Sequence, residues 1–125
     1  MAVKREILIL RPAAMTAEQA WERCTRLVGM LTIYADAHFV TEKIPASGAL
    51  AEMLGRVDYA VVFDNRIDTL LEDDYIVPAT FGGVIAVGGA EDAARRLAGR
   101  IIVDGAPCRV LMGDDNAILK QVLER

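Results

Sequence analysis

Arg5-Glu6-Ile7-Leu8-Ile9-Leu10-Arg11-Pro12 is the stretch on which the fold turns. Four aliphatic residues in succession, charged at both ends and closed by a proline, make a strand with no polar face. Such a strand belongs in the interior of a parallel sheet. Downstream, Thr16 stands at capping-box spacing from Gln19, and Ala17, Ala20, Trp21, Cys24, Leu27, Val28, Leu31 and Tyr34 recur at steps of three and four. This periodicity predicts a long amphipathic helix ending near Ala35 or Asp36. A strand over His38 to Ile44, a helix capped by Ser47 with Leu50, Met53, Leu54 and Val57 inward, and the apolar run Tyr59 to Phe63 complete a β-α-β-α-β half. Short connections and the right-handed crossover rule put these strands in one parallel sheet.

The second half is less regular. Asp68 to Asp74 suggests a short helix, and Tyr75 to Ala79 a strand or an extended loop interrupted by Pro78. Val84 to Val87 is a buried strand, and Gly88-Gly89 turns into a helix from Ala90 to Ala98. That helix has acids in its first turn and arginines near its end, as the dipole favours. Ile101-Ile102-Val103 and the segment Cys108 to Met112 flank the turn sequence Asp104-Gly105-Ala106-Pro107, which predicts a C-terminal hairpin. Asp114 or Asp115 then caps a last helix with Ile118, Leu119, Val122 and Leu123 inward. The expected architecture is one three-layer, doubly wound α/β domain over residues 1–125. It has about five mostly parallel strands in the flavodoxin-like or receiver-like order 2-1-3-4-5, and the hairpin is the feature that disturbs it.

Composition narrows the function. The chain has 125 residues, 54% hydrophobic and 26% charged, which fits a globular domain and excludes collagen-like or disordered classes. Charged residues interrupt every apolar segment before membrane-spanning length, and the first apolar run is too short for a signal peptide, so a cytoplasmic protein off the membrane is expected. Net charge is −4 and its distribution is uneven: residues 1–62 balance, whereas 64–74 hold Asp64, Asp68, Glu72, Asp73 and Asp74 against Arg66 alone. Such a chain lacks the basic footprint of nucleic-acid binding. Cys24 and Cys108, far apart and without CxxC spacing, read as reduced core residues.

Ligands of doubly wound sheets sit beyond the carboxyl ends of the strands, which directs attention to Arg11, Asp64, Asn65, Arg66, Gly88 and Gly89. Asp64 ends a wholly apolar strand and reads either as a rim acid or as the start of an Asx-turn. Arg11 and Arg66 have the chemistry to clamp a carboxylate or phosphate. Gly88-Gly89 reads as a tight turn with carboxylate capping, because Glu91 and Asp92 repel an anion there and neither GxGxxG nor GK[ST] is present. The single histidine, His38, has Asp36 and Glu42 as neighbours in sequence and reads as a solvated strand residue; a triad with Ser47, the sole serine, is unforced. No metal and no cofactor are expected. Glu72, Asp73 and Asp74 read as a solvated face or a docking patch for a basic partner.

In length and element order the chain is similar to response-regulator receivers, which place an acceptor Asp after the third strand, where Asp64 stands. Receivers carry paired acids after the first strand and Ser or Thr after the fourth, where this chain has Arg11-Pro12 and Gly88-Gly89, and no Lys ends its fifth strand. Phosphorylation is therefore not carried over. The function expected is a small interaction or subunit protein without catalytic activity, which docks on a protein partner or self-associates as a homodimer or larger assembly. The alternatives are a ligand-binding domain or enzyme at the Asp64, Arg66 and Gly88-Gly89 rim, and a degenerate receiver-like regulatory module.

Overall fold

The computed structural model describes residues 5–45 and 47–124, with Ser47 described by its backbone alone. Among these residues the elements run β1 (Arg5–Arg11), α1 (Ala17–Tyr34), β2 (Ala37–Lys43), α2 (Ser47–Leu54), β3 (Tyr59–Val62), a 3-10 turn (Asp68–Leu71), β4 (Tyr75–Val77), β5 (Gly83–Ala86), α3 (Glu91–Ala98), β6 (Ile101–Val103), β7 (Ala106–Pro107), β8 (Val110–Leu111) and α4 (Asp115–Leu123). A five-stranded parallel sheet in the order β2-β1-β3-β5-β8 forms the middle layer, the 2-1-3-4-5 order of flavodoxin-like folds. β1 is interior, as its apolar character requires, and Ile7 to Leu10 are buried.

Alternation along the strands builds one core on each face of the sheet. Ile7, Ile9, Tyr59, Val61 and Ile85 point to α1 and α4, where Ala20, Cys24, Leu27, Leu31, Ile118 and Val122 cover them. Leu8, Leu10, Ala60, Val62, Val84 and Ala86 point the other way, under α2, the 3-10 turn and α3. The capping box at Thr16 and Gln19 starts α1, and Asp36, with a φ of 49°, ends it in the left-handed region. Asp114 is the residue that caps α4, accepting from the Ala117 N–H at 2.8 Å.

Several expectations change. Tyr34 and Leu123, placed inward by periodicity, are 66% and 47% exposed, since each lies in the last turn of its helix. The helix expected over Asp68 to Asp74 is the 3-10 turn Asp68–Leu71. Tyr75 to Val77 is a strand, but it joins a second sheet of order β4-β6-β7. The hairpin exists with a different second arm: Asp104 and Gly105, at φ 47° and 83°, form a two-residue turn that pairs Val103 with Ala106 and Ile102 with Pro107. Positive φ at both central residues is what a tight hairpin requires. From the expected arm Cys108 to Met112, Val110 and Leu111 instead pair in parallel with β5. The cap proposed for Ser47 lies outside the described side chains.

Candidate functional site at the carboxyl rim

From β1 the chain crosses by α1 to β2 on one side, while β3 continues on the other side towards β5. At this reversal the loops after β1 and β3 part and leave a groove, the place where open α/β sheets bind ligands. The groove has a volume of about 330 Å³ and is lined by Ala14, Met15, Gln19, Glu22, Arg23 and Arg66.

The loop after β3 supplies Arg66. Asp64 Oδ1 accepts from the Arg66 backbone N–H at 2.9 Å, closing an Asx-turn, and from Arg66 Nε at 2.8 Å; Oδ2 accepts from Nη2 at 2.9 Å. One carboxylate thus shapes the loop and fixes the guanidinium. Hydrogen bonding to Arg66 is the main reason the Asp64 carboxyl is held down to about 2, and Asp64 in turn raises Arg66. Arg23, on the second turn of α1, donates from Nη2 to the Phe63 carbonyl at 3.3 Å, and its guanidinium lies 5.4 Å from the Phe63 ring centre. Arg11 braces the loop after β1. Its Nη1 donates to the Met15 carbonyl at 2.6 Å, and its Nε is buried without a hydrogen-bond partner among the described residues.

The residues singled out by sequence therefore separate. Arg66 lines the groove, Arg11 braces its wall through Met15, and Asp64 acts through Arg66. Asn65 is exposed on the Asx-turn, its carbonyl accepting from the Ile67 N–H. Gly88 and Gly89 form an exposed turn after β5, with Gly88 at φ 64°, and neither lines the groove. Carboxylate capping of the following helix is not found there: the N-cap is Ala90, without a side-chain cap, and Asp92 pairs with Arg96. Arg23, Gln19 and Glu22 were missed. Their signal was positional, because the first turns of a helix that follows a central strand stand over the carboxyl rim.

Other reactive groups lie elsewhere. Cys24 is buried and Cys108 half-buried, and both are free; burial pushes each thiol up to about 11. The His38 ring pairs with Glu6 at 3.2 Å across the β1–β2 register, rather than with Asp36 or Glu42. Glu72, Asp73 and Asp74 are exposed between the 3-10 turn and β4, and Asp74 contacts Arg100 at 3.4 Å. Among the described residues no group of three or more His, Cys, Asp or Glu is arranged to hold a metal ion, and no helix is long and apolar enough to cross a membrane. Comparison with protein-family models, with curated proteins and with solved structures gave no match. The groove lining offers guanidinium groups, an amide, a carboxylate and a thioether, a set suited to binding by charge and hydrogen bonds.

Proposed function

We propose that the protein is a cytoplasmic, non-catalytic interaction module that associates with a second copy of itself through the open edge of its small sheet. The observation that carries this reading is Ile76, 81% exposed on the terminal strand of that sheet. In the β4–β6 register the Tyr75 N–H donates to the Arg100 carbonyl and the Val77 carbonyl accepts from the Asp104 N–H, so both flanking residues turn their backbone groups to β6. Ile76 turns its own N–H and C=O to the opposite edge. Ile102, 40% exposed, sits beside it in register, and Pro107 continues the apolar strip on the same face. An apolar side chain over an unpaired strand edge is the arrangement that strand addition uses.

Charge selects the orientation. Antiparallel pairing about a two-fold axis at Ile76 joins the two Ile76 residues as a hydrogen-bonded pair and sets Asp74 opposite Pro78 and Asp73 opposite Ala79. Parallel pairing in register would set acid against acid along Glu72-Asp73-Asp74. Two free thiols on opposite faces of the main sheet fit a reducing compartment.

A three-residue strand limits the contact, so a dissociation constant of about 1–100 μM is expected. Light scattering from about 10 μM to about 1 mM tests it. The mass should climb from 13.6 kDa towards twice that value, while Ile76→Lys, whose circular dichroism should match the parent, stays at 13.6 kDa. A constant 13.6 kDa for the parent at the highest concentration rejects the reading.

A further inference from the structure

The groove between the ends of β1 and β3 uses residues separate from the β4 edge, and what it binds stands or falls independently of self-association. Two guanidinium groups, Arg23 and Arg66, and one carboxylate, Glu22, line it, in a protein whose net charge is −4. Its cations are also held in place before any ligand arrives. Arg66 is locked by the two-pronged Asp64 contact although its side chain is 64% exposed, and Arg23 is held by the Phe63 carbonyl and ring. Exposed arginines ordinarily lose rotamer freedom on binding, and here that cost falls on folding instead. These contacts use Nε and Nη2 of Arg66 and Nη2 of Arg23, and both side chains still line the groove.

Glu22 decides the class of ligand. A simple anion at the two guanidinium groups would also face this carboxylate, which opposes it, whereas a molecule bearing a cationic donor beside its anionic group satisfies both signs. The volume of about 330 Å³ is at the small end of ligand sites, and Met15 and Ala14 give it an apolar wall. We infer that the groove binds a compact zwitterion of the size of a free α-amino acid, its carboxylate held by Arg23 and Arg66 and its ammonium facing Glu22.

Amide chemical shifts of the full chain, titrated with L-leucine, with 4-methylpentanoate (the same skeleton without the amine), with isoamylamine (without the carboxylate) and with inorganic phosphate, test this. L-leucine should move amides of residues 14–23 and 64–66 saturably with a dissociation constant of about 1 mM or tighter. 4-Methylpentanoate should bind about tenfold more weakly, and isoamylamine should not saturate. Arg23→Gln and Arg66→Gln should each weaken L-leucine about tenfold or more, and Arg56→Gln, beyond the end of α2 in an ion pair with Glu52, should leave it unchanged. Glu22→Gln should bring L-leucine and 4-methylpentanoate to similar affinities. The spectra themselves report whether each variant is folded. Absence of saturable shifts to about 20 mM L-leucine overturns the inference. So do unchanged affinities in both arginine variants, or phosphate or 4-methylpentanoate binding more tightly than L-leucine.

Discussion

Asp64 shows how one side chain can both close a turn and position a neighbour. The acid that closes an apolar strand forms the Asx-turn, and its two oxygens divide the work, one shaping the loop and both gripping Arg66. The pH consequence has a definite sign. A carboxyl whose folded value is depressed adds stability above its ordinary value of 3.8, and that contribution disappears as pH falls through about 2. Asp64 should therefore titrate with a midpoint near 2 in a carboxyl-detected NMR series. A midpoint near 3.8 would mean that the Arg66 contact is not populated in solution. The stability at stake is small, because Arg66 stands largely in water: Asp64→Asn keeps the turn acceptor and should cost less than about 1 kcal/mol near neutral pH. The position of Asp64 was legible in the sequence and its partner was not. Arg66 lies two residues away, where only the folded loop decides whether a side chain turns back or reaches outward. Arg23 was hidden for a different reason, since it reads as solvent-facing until Phe63 comes beneath it.

Among the elements, those with an unbroken apolar run or a complete cap could be read directly, and those that depend on pairing could not. β1, β3 and β5 are buried on both faces, and α1 carries its own capping box. In contrast, Ile101-Ile102-Val103 looks like a fully buried strand, whereas Ile101 is buried and Ile102 exposed because the small sheet has a single covered face. The turn at Asp104-Gly105 was visible, but its two-residue length forces Ala106 to pair at once and leaves Val110 and Leu111 for the main sheet. That last pairing leans on a glycine. Gly83, at φ 143°, opens β5, and a Cβ there would stand 2.7 Å from the Arg109 carbonyl oxygen and 2.8 Å from Leu111 Cδ1. Gly83→Ala should push β8 off the sheet and cost about 2 kcal/mol or more. Gly29, on an open face of α1 with nothing within 4 Å of its would-be Cβ, should respond with the opposite sign. Gly29→Ala should stabilise by about 0.5–1 kcal/mol. Urea midpoints of the two variants measure this, and a Gly83→Ala midpoint equal to that of the parent would rule out the close β5–β8 approach.

For the whole molecule, charge and topology together determine how copies can meet. Each copy carries −4, with the acidic excess close to the edge proposed for pairing, so association works against mutual repulsion. In the antiparallel arrangement about Ile76 the two Asp74 residues lie about four strand positions apart, or about 14 Å. That spacing exceeds the screening length of about 8 Å at physiological ionic strength and falls well inside the length of about 30 Å at 0.01 M. Self-association should therefore tighten as salt rises from about 0.01 M to about 0.15 M and then level off. A basic partner docking on Glu72, Asp73 and Asp74 would show the reverse, losing on-rate and affinity over the same range. A triple variant combining Glu72→Gln, Asp73→Asn and Asp74→Asn should dimerise more tightly than the parent at low salt and lose most of the salt dependence. Sedimentation velocity at the two ionic strengths, on parent and triple variant, reads both effects. A parent that dissociates as salt is added, or a triple variant that no longer self-associates at any salt, would mean that the acids hold the contact together. The antiparallel Ile76 arrangement would then be wrong, because in it Asp74 and Asp73 lie opposite Pro78 and Ala79 and add no attraction between the copies.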